Sequence, residues 1–290
     1  MNQYGLFAYP SKHSLSPKMH NRAFYELEID ANYEAYDVGM SETEEGRIEE
    51  LKTFLDKMRE GRIIGANLSM PNKSIAVRFM DELSETARLT NSVNTILSKD
   101  GKLYGYSTDG IGFERALLDK NINLSGKKVV LAGCGGAGTA IYVRCALSGA
   151  KEIVLFNRSG KRFDEAKERI KSLKDRCDIK LFNLLDREVL EREVKDADIL
   201  VNATGLGMGD CIGKTWVYDS SILNPKTVCF DAIYNPFETR FLEMAKRRGC
   251  DTINGLMMLI YQGAESFKIW TGREMPIDRV LEEIKMNVKS

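Results

Sequence analysis

The stretch Lys128-Val129-Val130-Leu131-Ala132-Gly133-Cys134-Gly135-Gly136-Ala137-Gly138 decides how the chain is read. Lys128 to Ala132 is short and apolar, as a buried strand should be, and a small-residue helix is predicted from Thr139 to Leu147. A Gly-x-Gly-x-x-Gly pattern alone is weak evidence, but between a strand and a helix it has physical meaning. Gly133 permits the tight turn, Gly135 lets backbone approach a pyrophosphate, and Gly138 allows close helix–strand packing. The N–H groups at the helix start, reached through Cys134, Gly136 and Ala137, suit an anion. The competing reading is a tight strand–helix turn that binds nothing.

Working outward, the next predicted strand, Glu152 to Phe156, runs into Asn157-Arg158-Ser159-Gly160-Lys161-Arg162, with no acid before Asp164. Sites for NAD usually place an acid here, to accept from the ribose 2′-hydroxyl. Arg158 can instead stack on adenine and hold a 2′-phosphate, with Lys161 or Arg162 adding charge, which favours NADP over NAD. A solvated basic helix start is the plainer alternative.

Further strands fit Ile179–Phe182, Ile199–Asn202 and Thr227–Asp231, with closing helices over Leu256–Trp270 and Ile277–Met286. Upstream, the apolar stretch Tyr4–Tyr9 precedes a helix over Pro17–Leu27 and a strand over Tyr33–Val38. Ile48, Leu51, Phe54, Leu55 and Met58 recur at helical spacing between Thr43 and Glu60. A strand over Ile63–Ser69 leads into the loop Met70–Lys73, then a helix to Leu83, a strand over Val93–Leu97, and a hairpin turn at Asp100-Gly101 before Leu103–Tyr106. Alternating strands and helices predict an α/β protein with largely parallel sheets, in two domains.

The chain has 290 residues, 43% hydrophobic and 29% charged, an ordinary globular mix that excludes a disordered or fibrous chain. Lys plus Arg and Asp plus Glu are both 42, so charge gives no reason to expect nucleic acid or an anionic membrane as partner. No apolar run approaches the ~20 residues of a membrane span, and Met1-Asn2-Gln3-Tyr4 does not begin like a signal peptide, so a cytoplasmic protein is expected. The six cysteines are scattered without a Cys-x-x-Cys pair and are expected to be reduced thiols. The only histidines, His13 and His20, give no zinc pattern, and no metal is expected.

Patches of small polar groups stand out in the first half. Ser14-Leu15-Ser16-Pro17 presents hydroxyls before a helix, although Ser16 also reads as a plain N-cap with Pro17 at the first helical position. Asn67 to Lys73 places a hydroxyl, Ser69, and an amine, Lys73, after a strand, where α/β sheets gather ligands. Ser107-Thr108-Asp109-Gly110 puts a carboxylate where a helix begins, which alone also reads as an N-cap.

With the glycine loop, these patches resemble the shikimate and quinate dehydrogenase family nearly end to end. Ser14 to Pro17 with His20-Asn21, Asn67 to Lys73, Ser92 to Thr95 and Ser107 to Phe113 follow its motifs in order. Asn202 to Met208, Asp231 to Pro236, and Asn254-Gly255 through Gln262 do the same in the second half. The resemblance implies an α/β substrate domain over 1–110 plus 256–290, a Rossmann dinucleotide-binding domain over 111–255, and an active site in the cleft between them. It implies a Lys73–Asp109 catalytic pair and a substrate site from Ser14, Ser16, Ser69, Lys73, Asn94, Asp109, Tyr234 and Gln262. It also implies cofactor contacts from Gly133 to Ala137, Asn157, Arg158 and Lys161, with Ala232 and Gly255 along the nicotinamide. The activity implied is reversible NADP- or NAD-dependent interconversion of shikimate and 3-dehydroshikimate, in aromatic amino acid (chorismate) biosynthesis, with quinate as a further substrate.

Ser69 stands where threonine is usual, and Ser107 replaces an asparagine. Ser-Met-Pro-Asn-Lys and Phe-Asn-Arg are closer to the branch that takes quinate and NAD as well, although Ser159-Gly160 lacks the acid some of its members carry. Ser, Asn, Tyr and Gln would surround a polyhydroxylated acid without excess charge. The partner expected is therefore a small molecule, and a homodimer is compatible with this reading. Rival readings are a nucleotide sensor that has lost turnover, a quinate-preferring dehydrogenase, and a methylene-tetrahydrofolate dehydrogenase.

Overall fold

The computed structural model describes residues 1–12 and 14–288, with side chains through Lys285; His13 lies outside the described residues. The chain divides into two compact units, Met1–Thr108 with Gln262–Ser290, and Asp109–Tyr261.

The first unit contains β1 (Asn2–Ala8), α1 (Ser16–Glu26), β2 (Ala31–Asp37), α2 (Glu44–Arg59), β3 (Gly65–Leu68), α3 (Asn72–Ile75), β4 (Glu82–Leu83), α4 (Glu85–Thr90), β5 (Thr95–Lys99) and β6 (Lys102–Tyr106). Its sheet has the order β2-β1-β3-β5-β6-β4. β1 runs parallel to β2 and β3, whereas β5 is antiparallel to both β3 and β6. The sheet is therefore mixed rather than largely parallel, because Asp100 (φ 51°) and Gly101 (φ 73°) close β5 and β6 into a tight hairpin.

The predicted helix from the Lys73 loop to Leu83 breaks up. α3 is a single turn, followed by a 3₁₀ turn over Ala76–Phe79 and the short strand β4, whose Glu82 pairs with Tyr104 of β6. Asp81 supplies the reason: its carboxylate accepts from the Leu103 backbone N–H at 2.7 Å and from Arg59 at 2.6 Å, which commits the segment to the sheet. One face of the sheet packs on Leu51, Leu55 and Met58 of α2 together with Phe7, Ile96 and Leu103. Each such fully buried side chain contributes about 1.5–3 kcal/mol.

The second unit contains α5 (Asp109–Leu118), β7 (Lys128–Ala132), α6 (Gly136–Leu147), β8 (Glu152–Asn157), α7 (Lys161–Lys171), β9 (Asp178–Asn183), α8 (Arg187–Lys195), β10 (Ile199–Asn202), β11 (Val228–Asp231), α9 (Arg240–Arg247) and β12 (Asp251–Ile253). Helices α10 (Leu256–Thr271) and α11 (Ile277–Val288) follow, and the division at 261/262 falls within α10. All strands of the second sheet are parallel, in the order β12-β11-β10-β7-β8-β9. That is the doubly wound order of dinucleotide-binding domains, whose direction reverses between β7 and β10. Strands β7, β8 and β10 are buried almost throughout, as strands covered on both faces must be. α6 begins at Gly136, three residues earlier than predicted, so Gly136 and Gly138 lie in its first turn and Gly135 is its cap position.

Within the first unit, a second apolar layer forms from aromatic rings. Tyr4 lies 5.0 Å from Phe24 and 5.2 Å from Trp270, and His20 stacks on Tyr33 at 4.5 Å. Trp270 donates to the Ile96 carbonyl at 2.9 Å, which ties α10 to the sheet.

Candidate functional site

In the first unit the predicted polar residues gather at one edge of the sheet. Ser14 and Ser16 follow β1, while Ser69 and Lys73 follow β3. The antiparallel register Asn67↔Thr95 brings Asn94 to the carboxyl end of β3, and Thr95↔Tyr106 brings Ser107 and Thr108 to the same edge. Ser16 is the first helical residue of α1 rather than its cap; the Ser14 Oγ accepts from the Ser16 backbone N–H at 3.2 Å. Ser16 is buried, and its hydroxyl bonds the Tyr33 phenol, which itself donates to Asn67 Oδ1 at 2.9 Å. Burial holds the Tyr33 phenol well above its usual range, so it acts as a neutral donor and acceptor.

Asn94, 2% exposed, is the hub of a buried network. Its Nδ2 donates to Thr108 Oγ1 at 2.9 Å and to Gln262 Oε1 at 3.2 Å, and its Oδ1 accepts from the Thr108 backbone N–H at 2.8 Å. Asn67 Nδ2 donates to Thr95 Oγ1 at 3.1 Å and to Ser266 Oγ at 3.0 Å, and Thr95 Oγ1 and Ser266 Oγ are 2.7 Å apart. Ser266 Oγ also donates to the Gln262 carbonyl at 3.0 Å, so α10 carries both Gln262 and the residue that anchors it. A connected network of this kind fixes rotamers, because each buried group that lost its partner would cost about 1–3 kcal/mol. Lys73 is half-buried in α3, and its carbonyl accepts from the Val93 backbone N–H at 2.9 Å. Asn72 beside it donates to the carbonyls of Val38 (2.8 Å) and Phe7 (3.2 Å), which seats α3 on the ends of β1 and β2.

Thr108, Thr95, Asn67 and Ser266 were not singled out from sequence as site residues. Ser266 carried no readable signal, being one polar residue among several on α10, which also bears Gln262, Glu265, Lys268 and Thr271.

In the second unit every predicted cofactor residue lies at the carboxyl end of a parallel strand. Gly133 has φ +100°, and a Cβ there would stand 2.6 Å from the Ala203 carbonyl oxygen. A Cβ on Gly138 would come to 1.8 Å from the Gly133 oxygen, whereas one on Gly136 would meet nothing within 4 Å. The turn is closed toward the protein and open outward, a fit for a pyrophosphate against the N–H groups that begin α6. Cys134 is buried and its thiol is pushed up to about 12 by desolvation, so it stays neutral. Its backbone N–H is taken by Asn157 Oδ1 at 3.1 Å, and Asn157 Nδ2 donates to the Arg158 carbonyl at 2.9 Å. Asn157 thus staples the glycine turn to the end of β8. Arg158 and Lys161 are exposed, and the Lys161 amine is 4.0 Å from the Glu165 carboxylate. The Arg162 guanidinium comes within 3.4 Å of where a Gly135 Cβ would be, which makes it a second cation beside the turn.

After β10 and β11 the backbone is pinned closely. A Cβ on Gly255 would lie 2.2 Å from the Ala232 oxygen, and the Gly255 N–H donates to the Ile233 carbonyl at 3.0 Å. Tyr234 is half-buried, and burial raises its phenol. Beneath them lies Asp231, fully buried, with its carboxyl raised by desolvation against the opposing bonds from Thr239, Ile233 and Asn202. Asp109 is the first residue of α5 and is buried; a Cβ on the next residue, Gly110, would stand 2.5 Å from the Ala140 oxygen, so α5 packs directly on α6.

Among the described residues no helix is long and apolar enough to cross a membrane. Residues 6–96 match the family described as the shikimate dehydrogenase substrate binding domain, and residues 255–285 match the shikimate 5'-dehydrogenase C-terminal domain. The chain is 41% identical over 280 residues to a shikimate dehydrogenase (NADP(+)) of Listeria innocua, covering 96% of this chain and 94% of that one. It is likewise 41% identical to a quinate/shikimate dehydrogenase of Escherichia coli, over 95% of this chain and 94% of that protein. The crystal structure of shikimate 5-dehydrogenase from Listeria monocytogenes, in complex with shikimate and NAD, superposes with a TM-score of 0.92 at 40% identity, covering 98% of this chain and 96% of that one. The chain belongs to the shikimate dehydrogenase family.

Proposed function

We propose that the protein is a shikimate dehydrogenase that interconverts shikimate and 3-dehydroshikimate with NADP(H), taking NAD(H) as a second carrier and quinate as a second substrate. The observation that carries this reading is the buried, uncharged network centred on Asn94, which ends in Gln262 and lies at the same sheet edge as Ser14, Ser16, Ser69 and Lys73. Neutral amides and hydroxyls suit a ring bearing several hydroxyls. Ser14 and Ser16 at the start of α1 suit its carboxylate. Residues 1–110 with 256–290 serve as the substrate domain in this reading, and 111–255 as the dinucleotide domain.

When bound, the nicotinamide exchanges a hydride at its C4. In oxidation, the neutral Lys73 amine takes the hydroxyl proton as the carbon gives up hydride; in reduction, its ammonium returns that proton to the ketone oxygen. Asp109 is the second member of the catalytic pair and accepts a hydrogen bond from a neighbouring substrate hydroxyl. Positioned acid–base groups of this kind contribute ~10²–10⁴-fold. Asn94, Gln262, Ser69 and Tyr234 hold the ring. Gly133 to Ala137 take the pyrophosphate, Ala232 and Gly255 lie along the nicotinamide, and Asn157, Arg158 and Lys161 take the adenosine end, with Arg162 as a further cation. The basic end of β8 supports NADP over NAD. The enzyme would act in the cytoplasm, in aromatic amino acid biosynthesis.

The test is a two-by-two turnover assay of shikimate and quinate against NADP⁺ and NAD⁺. Fastest reduction of NADP⁺ with shikimate is expected. No reduction of either dinucleotide by either acid would overturn the assignment.

A further inference from the structure

We propose that Asp231 is a positioning residue: its buried carboxylate fixes the backbone against which the nicotinamide half of the dinucleotide rests. This rests on the dinucleotide reading above and adds to it a residue that touches neither cofactor nor substrate.

The carboxylate joins segments that follow two neighbouring strands. Oδ1 accepts from the Ile233 backbone N–H and from Asn202 Nδ2, both at 3.0 Å, and Oδ2 accepts from the Thr239 hydroxyl at 2.6 Å. Asn202 Nδ2 also donates to the Leu206 carbonyl at 3.1 Å, while its Oδ1 accepts from the Thr204 backbone N–H at 3.2 Å and hydroxyl at 2.7 Å. One anion thus sets the course of residues 203–206 after β10 and of 232–239 after β11. Thr239 in turn caps α9, its Oγ1 accepting from the Leu242 N–H at 3.3 Å. The loops held this way carry Ala203, which meets the glycine turn at Gly133, and Ala232, which Gly255 packs against.

A carboxylate at a fully buried site is costly unless its oxygens are hydrogen-bonded, and the donors to Asp231 belong to the end of β10 and to the segment after β11. Such an arrangement makes sense where backbone atoms must be held within fractions of an ångström for hydride transfer. The Cys134 N–H and the end of β8 are held by Asn157, so the adenosine end has an anchor of its own.

The experiment compares affinities of the full-length enzyme for NADP⁺ and for adenosine 2′,5′-bisphosphate, which carries the adenosine end without the nicotinamide. Asp231→Asn should weaken NADP⁺ at least tenfold and leave the bisphosphate within twofold. Thr239→Val, which removes one donor and keeps the shape, should give the same selective loss, and Thr239→Ser should regain most of it. If Asp231→Asn does not fold, the Thr239 pair gives the same readout. Equal weakening of both ligands, or of neither, overturns the proposal. Wild-type protein that binds neither ligand overturns the dinucleotide reading itself.

Discussion

Replacing His20 with phenylalanine should make the first unit markedly less sensitive to acid. His20 is fully buried, stacked on Tyr33 and 5.1 Å from Trp270, and among the described residues neither ring nitrogen has a hydrogen-bond partner. Burial lowers the imidazole to about 3, against a weaker pull upward from the Asn67 side chain. In the unfolded chain it titrates near ~6.5. Between those values the unfolded state binds more protons than the folded one, so stability falls as pH falls through that window. One-site linkage gives a loss of about 2 kcal/mol between pH 8 and pH 5 from this group alone. His20→Phe should keep the ring stack and abolish that loss. Urea unfolding followed by Trp270 fluorescence, in a Trp216→Phe background so that one indole reports, measures it at both pH values. The comparison is the change between pH values within each protein, so a constant packing offset drops out. Identical losses in the two proteins would refute the reasoning, because they would mean that the imidazole ionises as freely folded as unfolded.

Lys73→Met should lower kcat at least ~10²-fold while leaving NADP⁺ affinity nearly unchanged; steady-state kinetics with a binding titration checks this. Arg158→Ala should weaken NADP⁺ by ~10-fold or more and NAD⁺ little, and equal losses would show that the guanidinium does not read the 2′-phosphate. Gly138→Ala places a methyl 1.8 Å from the Gly133 oxygen, so the turn must move; a loss of dinucleotide affinity of at least ~10-fold, seen by calorimetry, is expected.

The centre of the second unit was legible in the sequence because β7, β8 and β10 are short apolar runs bounded by turns, and parallel strands buried on both faces leave that mark, whereas β12, only Asp251–Ile253, is too short and too polar to do so. The register that makes the first sheet mixed was less visible. The Asp100-Gly101 hairpin was readable locally, but β4 exists only because Asp81 and Glu82 meet β6 some twenty residues on, a pairing outside any local window. α4 escaped for the opposite reason: it is a short helix marked only by its cap, Ser84, which accepts from the Ala87 N–H at 3.2 Å. Motif positions such as Ser14, Asn94 and Gln262 could be named in advance, while the groups that hold them, Ser266 above all, could not. Their partners lie far off in sequence, as Asn67 and Ser266 do, and one hydroxyl among the several polar residues of α10 has no period to betray it.

The return of Gln262 and the residues after it to the first unit dictates an order of assembly. On a ribosome, Asp109–Tyr261 emerges whole and can close its sheet while the first unit still lacks Ser266, Phe267 and Trp270. Until those arrive, Asn67 and Thr95 want a hydroxyl and Tyr4 and Phe24 want aromatic cover, so the earliest-made portion of the chain is the last to mature.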